Sequence, residues 1–288
     1  MDYKVFENRI EVYGVSDFEL KDTLMCGQCF RFRENPDGSF TGMAFGKVIT
    51  LSKAEDTLIL HTNEEDFLSI WKAYFDLDLD YGRIKEDLSR IHPTLKEAAK
   101  FAPGIRILRQ EPFEALISFI ISQNNNIKRI SGIVERLCEN WGEEISEGFY
   151  AFPTPEALGK LTAEDLAPIR AGFRARYIVD AVGKVNRGEI DLKALEFLTF
   201  DQAKSELLKI TGVGSKVADC VLLYGLHKLE GFPMDVWMKR AMAVLFPDLS
   251  GADFGEFAGI AQQYIFHYAR LNPQLFEKPQ NPVYNNEK

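Results

Sequence analysis

The sequence lacks long apolar runs and has no excess of basic charge. No stretch of its 288 residues approaches the ~18 apolar residues of a membrane-spanning helix. The start, "MDYKVFENRI", has no basic segment followed by an apolar one, so we expect no signal peptide and a cytoplasmic location, nucleoid-associated if bacterial. With 34 Lys and Arg against 43 Asp and Glu, the net charge of −9 argues against a uniformly basic surface. A local basic patch for nucleic acid remains compatible with this balance.

Cysteine is also scarce, with four residues in the chain. Two of them, Cys26 and Cys29, form a C-x-x-C motif in "CGQC". A zinc site would need a second pair at suitable spacing, and a thioredoxin-like redox site would need a βαβ context. The sequence shows neither, so a metal or redox protein stays an alternative that rests on the C-x-x-C spacing alone. Repeats, low-complexity tracts and heptads are absent too, which argues against solenoids and coiled coils.

The pattern along the chain predicts two parts. Residues 3–62 contain short runs with partial alternation, and "NPDGS" between two of them is a strong hairpin turn. Helical spacing begins near residue 64 and dominates beyond residue 110. The sequence therefore predicts an α+β protein. A β-containing N-terminal domain covers residues 1–110 and a helical domain covers residues 111–288.

The segment "ITGVGSKVADCVLLYG" predicts a tight hairpin between two helices. Gly212 and Gly214 can adopt positive φ and let a partner approach the backbone closely. The unpaired N–H groups of the following helix would then form an anion site. Lys216 follows the pattern G-x-G-x directly, whereas a Walker A loop has the pattern G-x-x-x-x-G-K-[ST], so this is not a Walker A loop. A simple helical corner with a solvated lysine is the competing interpretation.

Lys216 and Asp235 suggest chemistry beside this hairpin. Lys216 lies in the first turn of a helix, where the helix dipole and partial burial disfavour an ammonium and favour a nucleophilic amine. Asp235, 19 residues downstream, precedes the next helix as an N-cap. Its carboxylate could stabilise positive charge developing on a sugar held by its phosphates. A capping aspartate without catalytic duty is the alternative.

The hairpin together with "GFPMDV" resembles the helix-hairpin-helix DNA glycosylase superfamily. More closely, the chain resembles the 8-oxoguanine DNA glycosylase family of the OGG type. The matching motifs, in family order, are "GQCFRF", "LRQEPFEALISFIISQNNNIKRISGIVERLC", "GFRARY", "GVGSKVADC" and "AGIAQQYIF". The resemblance implies a TBP-like antiparallel β-sheet domain joined to an all-α helix-hairpin-helix domain. It also implies a monomer that binds double-stranded DNA containing 8-oxoguanine and no membrane.

The implied activity is that of a bifunctional glycosylase in base excision repair. Such an enzyme flips out 8-oxoguanine, preferably opposite cytosine, and excises it. By motif position Lys216 would attack the deoxyribose C1′ and remain as a Schiff base during β-elimination, and Asp235 would assist base loss. An alkylated-base glycosylase is an alternative, but those enzymes lack the hairpin lysine. A noncatalytic helix-hairpin-helix DNA-binding protein is another, but such modules lack the matched lysine and aspartate.

The resemblance also assigns the lesion pocket. Oxidation at C8 gives guanine an N7–H, which the carbonyl of Gly27 would accept. Phe266 would stack on the flipped base, Cys220 would form the opposite wall and Gln262 would contact the Watson–Crick edge. Phe266 taken alone is more typical of a core aromatic.

Further residues are implied at the DNA surface. Asn124 would fill the gap left by the flipped base, and Arg129 and Arg174 would hydrogen-bond the opposite cytosine. Phe173 would wedge into the base stack. Taken without the motifs, three consecutive asparagines are turn material and the arginines a solvated helix face. No cofactor is expected, except that the resemblance allows a structural monovalent cation at the hairpin carbonyls of Leu208, Ile210 and Val213.

Overall fold

The computed structural model describes residues 2–276, which begin with a six-stranded antiparallel sheet. The order of its strands is β1-β2-β6-β5-β4-β3. Their bounds are β1 Asp2–Phe6, β2 Arg9–Tyr13, β3 Phe32–Glu34, β4 Phe40–Ala44, β5 Lys47–Ala54 and β6 Thr57–His61. The predicted "NPDGS" turn joins β3 to β4, and Gly38 in it has a φ of +83°. One face of the sheet is buried, because alternate residues such as Leu58 and Leu60 point into the core.

Helices make up most of the remaining chain. Their bounds are α1 Leu20–Leu24, α2 Glu64–Asp66, α3 Lys72–Tyr74, α4 Tyr81–Ile91, α5 Pro93–Phe101, α6 Pro112–Ile121, α7 Ile127–Trp141, α8 Pro155–Leu158, α9 Arg174–Asn186, α10 Phe200–Leu207, α11 Ser215–Gly225, α12 Val236–Leu245 and α13 Ala258–Leu271. A π-helical turn, Phe67–Trp71, connects α2 to α3, and short 3₁₀ turns occur between later helices. Within residues 2–276 no helix is long and apolar enough to cross a bilayer.

The α+β fold class is confirmed, with one correction. The second part of the chain is not entirely helical, because β7 Glu144–Ser146 and β8 Phe149–Tyr150 form a small antiparallel hairpin. Gly148 in the connecting turn has a φ of +75°, a conformation that glycine adopts without steric penalty. Alternation over such short strands is too brief to be distinguished from a loop in the sequence.

Two apolar cores lie beneath this arrangement. The first packs the sheet against the helical segment that contains Trp71 and Phe75. The second contains the later helices and also takes in α4 and α5, through residues such as Leu88 and Leu95. Helices N-terminal to residue 110 thus share the core of those that follow it. The division at residues 110 and 111 stays a prediction, and residues 277–288 lie outside the described part of the chain.

Gln28 connects the loop after α1 to the segment 105–110 by hydrogen bonds. Its side chain is fully buried. The amide donates to the carbonyl of Arg106 at 2.7 Å and accepts from the N–H of Leu108 at 2.9 Å. Gln110 donates in turn to the carbonyl of Gln28 at 2.7 Å. These bonds hold Gly27 against the helical core.

A buried carboxylate makes a second connection between the two cores. Asp76 accepts from Tyr81, Arg109 and His227, with distances of 2.7–3.1 Å. His227 and Arg109 hold the pKa of Asp76 below its usual value against the opposing effect of burial. Because His227 lies two residues after the end of α11, the cluster anchors the C-terminal end of the helix that carries Lys216.

Candidate active site

The hairpin between α10 and α11 depends on Gly212. Its φ is +82°, and a Cβ there would lie 2.3 Å from the ring of Tyr177 in α9. Gly214 differs, because its φ is −95° and the space beside it is open. The expected left-handed backbone is therefore present at Gly212 but not at Gly214. Gly212 packs the hairpin onto α9, whereas exposed Gly214 is the N-cap of α11.

Lys216 is partly buried between α11 and α6. Its Nζ donates to the hydroxyl of Ser122 at 3.2 Å, and Ser122 donates onward to the carbonyl of Phe119 at 2.8 Å. The same Nζ lies 5.2 Å from the centre of the Phe119 ring. These contacts to a hydroxyl and an aromatic face orient the amine. The lysine is therefore not extended into solvent, and it forms no salt bridge with a carboxylate among residues 2–276.

Asp235 caps α12 and faces the same cavity as Lys216. Its carboxylate accepts from the backbone N–H of Met238 at 2.7 Å, which fixes the side chain at the positive end of the helix dipole. The side chain remains partly exposed and lines a pocket with Lys216. The capping and catalytic interpretations are thus compatible, because one oxygen is enough for the cap.

This pocket brings together the residues expected to bind a lesion. Gly27, Cys220, Gln262 and Phe266 all line it, beside Lys216 and Asp235. They come from the loop after α1, from α11 and from α13. Gly27 and Phe266 are more than 200 residues apart in the chain. The cavity volume is about 50 Å³, far below the roughly 300 Å³ of even a small ligand pocket. Side chains must therefore move before a purine can enter.

The backbone at Gly27 requires a residue without a side chain. Its φ is +101°, and a Cβ there would approach the side chain of Ile127 to 3.0 Å. Arg270 donates to the neighbouring carbonyl of Cys26 at 3.3 Å. The loop is thus held from both sides, by Arg270 and by the hydrogen bonds of Gln28.

Gln262 presents an acceptor to the pocket. Its Nε2 donates to the carbonyl of Pro233 at 3.2 Å, and its buried Oε1 has no hydrogen-bond partner among residues 2–276. Phe266 is only partly buried, with the Arg270 guanidinium 5.5 Å from its ring centre. It is therefore not an ordinary core aromatic.

The sequence interpretation missed several residues of the pocket. Phe119, Tyr224, Pro233 and Gln263 also line it. Tyr224 could have been found, because residues 216, 220 and 224 repeat every four positions and so share one face of a helix. The others had no signal in the local sequence pattern.

A larger groove continues outward from the lysine and the aspartate. Its volume is about 420 Å³, and its walls include Lys216, Asp235, Gly214, Lys239 and Asn124. Asn124 is exposed and has a φ of +47°, which is uncommon for a residue with a side chain. Lys216 and Asp235 thus lie where the inner pocket opens into the outer groove.

Arg129 and Phe173 lie on the surface, whereas Arg174 is buried. Phe173 is 51% exposed, and the Arg174 guanidinium lies 4.4 Å from its ring centre. Arg174 donates to the carbonyls of Gln123, Asn124 and Ala171. In this conformation it orders the asparagine loop, a role that the sequence did not indicate. Its contact with the opposite base stays a prediction.

The buried cysteines have little thiolate character. Burial raises the pKa of Cys26 to about 11 and that of Cys29 well above its usual value. Burial also raises the pKa of Cys220 to about 11, although Lys216 opposes the shift. A thiolate is the form that binds metals and attacks disulfides. The redox and metal alternative therefore loses support, and Cys220 is an apolar wall of the pocket.

Two family models match the chain in consecutive segments. The N-terminal domain of 8-oxoguanine DNA glycosylase matches residues 12–116. The HhH-GPD superfamily of base excision DNA repair proteins matches residues 117–249. The chain belongs to the 8-oxoguanine DNA glycosylase family. Its helix-hairpin-helix is therefore that of a base excision repair protein.

Individual members of this family align over most of the chain. A probable N-glycosylase/DNA lyase of Methanothermobacter thermautotrophicus is 33% identical over 247 residues, which are 74% of this chain and 77% of the relative. The N-glycosylase/DNA lyase of Saccharomyces cerevisiae is 33% identical, over 78% of this chain and 67% of the relative. The 8-oxoguanine glycosylase/lyase of Clostridium acetobutylicum, solved with double-stranded DNA containing cytosine opposite 8-oxoguanine, is 41% identical. The superposition of the two structures has a TM-score of 0.89 and covers 95% of this chain and 99% of that one.

Proposed function

We propose that this protein is a bifunctional DNA repair enzyme that excises 8-oxoguanine and cleaves the resulting abasic strand. The observation that carries the proposal is the meeting of Lys216 and Asp235 at the mouth of a pocket lined by Gly27, Gln262 and Phe266. Once side chains move to enlarge it, the inner pocket holds the flipped base, and the outer groove holds the strand from which the base is flipped. The sugar then lies between them, within reach of the amine.

The chemistry follows from this position of Lys216. As a free amine, its Nζ forms a bond to C1′ while the bond from C1′ to the base breaks. The electron pair leaves with the base, which takes up the proton that the nitrogen then loses. Asp235 stabilises the positive charge that develops on the sugar during this step. Opening of the sugar ring gives a Schiff base, and loss of a C2′ proton then expels the 3′ phosphate by β-elimination.

Lesion recognition combines four pocket residues. The Gly27 carbonyl accepts the N7–H that 8-oxoguanine has and guanine lacks, so with the normal base two acceptors would face each other. The unpartnered Oε1 of Gln262 accepts from the N–H groups on the Watson–Crick edge. Phe266 and Cys220 enclose the two faces of the base. The alkylated-base alternative is disfavoured because the lysine is well placed for attack on the sugar.

On the DNA surface we assign the opposite base to exposed Arg129. Phe173 forms the apolar wedge, and Asn124 enters the gap left by the flipped base. The protein would act as a monomer. A structural monovalent cation at the hairpin carbonyls of Leu208, Ile210 and Val213 stays a proposal that follows from the family resemblance alone. The only chemistry such a cation would supply is electrostatic support for a DNA phosphate.

The proposal is tested with the wild-type protein and a duplex that carries one 8-oxoguanine opposite cytosine. We expect release of the base, a nick at the lesion and a covalent protein–DNA adduct after addition of borohydride. A duplex with guanine at the same position is the control. Base release without any adduct would contradict the lysine mechanism, and the absence of base release would contradict the function itself.

Substitution of Arg129 by alanine should relax the preference for cytosine opposite the lesion. A guanidinium forms a paired contact with the acceptors of cytosine worth about 1–3 kcal/mol of discrimination. The ratio of excision rates opposite cytosine and opposite adenine should therefore fall about 5- to 150-fold. Lys128→Ala, next to it and also exposed, is the matched control for a general loss of positive charge. An unchanged ratio in Arg129→Ala would mean that this side chain does not contact the opposite base.

A further inference from the structure

The inner pocket contains a second glutamine that the lesion recognition proposed above does not use. Gln263 is 2% exposed and lies beside Gln262 in α13. Its Oε1 accepts from the hydroxyl of Tyr224 at 2.5 Å. Its Nε2 is buried and has no hydrogen-bond partner among residues 2–276. A buried donor without a partner costs free energy of folding, so a ligand that offers an acceptor to this amide would be favoured.

Tyr224 determines which end of the Gln263 amide is left unpartnered. The tyrosine is 4% exposed and stacks on Phe119, with ring centres 5.2 Å apart and planes 17° from parallel. Burial holds the pKa of Tyr224 well above its usual value, so the hydroxyl keeps its proton and donates it to Oε1. The NH₂ end of the amide is then left to donate. Both residues line the pocket that contains Lys216.

The two neighbouring glutamines therefore offer complementary atoms. Gln262 is left with an acceptor, because its Nε2 is bonded to Pro233, and Gln263 is left with a donor. The Watson–Crick edge of 8-oxoguanine, a 2-amino-6-oxopurine, has donors at N1 and N2 and an acceptor at O6. A 6-aminopurine has a donor at position 6 and an acceptor at N1, which mismatches both glutamines.

From this complementarity, and resting on the proposed function, we infer that Gln263 is a specificity-determining residue. Oriented by Tyr224, it donates Nε2–H to the O6 carbonyl of the flipped base. It thereby selects 6-oxopurines over 6-aminopurines. The Gly27 carbonyl distinguishes oxidised from normal guanine, so the two residues select for different features of the same base.

The test compares Gln263→Met with wild type on three duplexes, carrying 8-oxoguanine, 8-oxoadenine or a preformed abasic site. Methionine keeps the length and helix preference of glutamine but has no donor. Single-turnover excision of 8-oxoguanine should fall about 10- to 100-fold. The excision rate of 8-oxoadenine should not fall, so the ratio of the 8-oxoguanine rate to the 8-oxoadenine rate should decrease. Cleavage of the abasic site should be unchanged, because no base occupies the pocket.

A second variant keeps the inference testable if Gln263→Met does not fold. Tyr224→Phe removes only the hydroxyl that orients the amide, and should lower 8-oxoguanine excision by about 3- to 10-fold with the abasic-site rate unchanged. Wild-type rates on 8-oxoguanine in either folded variant would overturn the inference. So would equal losses on the damaged base and the abasic site, which indicate a structural role. If the wild type itself fails to excise 8-oxoguanine, the proposed function fails instead.

Discussion

Lys216→Gln should form no borohydride-trapped adduct and should release 8-oxoguanine at least about 10³-fold more slowly than wild type. Glutamine has similar length and can still bond to the Ser122 hydroxyl, but its amide nitrogen is not a nucleophile. The lysine Nζ makes one hydrogen bond to Ser122 and one cation–π contact with Phe119. Loss of these two interactions should change the free energy of unfolding by about 1 kcal/mol. The measurements are adduct formation, single-turnover base release and thermal unfolding.

The matched control for this variant is Lys209→Gln. Lys209 lies in the same hairpin region but is exposed and paired with Glu206 at 2.6 Å. Such exposed pairs contribute little to stability. We expect the control to keep both the adduct and the rate. An adduct that persists in Lys216→Gln would show that another amine attacks the sugar.

Asp235→Asn should slow base release by roughly 10²–10³-fold, because the developing charge on the sugar loses its carboxylate. The substitution separates chemistry from structure. Asparagine is as good an N-cap as aspartate, so the bond to the Met238 N–H and the stability of α12 should be retained. Single-turnover excision reports the chemical effect, and thermal unfolding reports the structural one.

A second capping aspartate provides the comparison for Asp235. Asp80 caps α4 by accepting from the N–H of Arg83 at 3.0 Å, and it does not line the pocket. Asp80→Asn should change neither stability nor rate appreciably. If Asp235→Asn behaves like Asp80→Asn, the carboxylate has only a capping role and the proposed mechanism loses its second residue.

The sequence alone determined the parts that depend on local chemistry. The glycine hairpin, the lysine in the first turn of the next helix and the capping aspartate are each recognisable within a few residues, because backbone conformation and capping depend on neighbours in the chain. The α+β class was predictable for the same reason. Hydrophobic periodicity distinguishes strands from helices where the elements are long, and it failed at the short hairpin of β7 and β8.

Only the tertiary structure determined which polar groups meet around the pocket and which of them stay without a partner. Ser122 meets Lys216 across 94 positions of sequence, and Gln28 meets Gln110 across 82. Distant segments are likewise joined by the hydrogen bond from Tyr224 to Gln263 and by the hydrogen bond from Arg174 to the carbonyl of Asn124. Local patterns reveal which face of a helix is buried, but not which polar atom remains unpartnered there. Whether a polar atom finds a partner depends on the donors and acceptors of the segment packed against it. Here the packing of α6, α11 and α13 determines those neighbours.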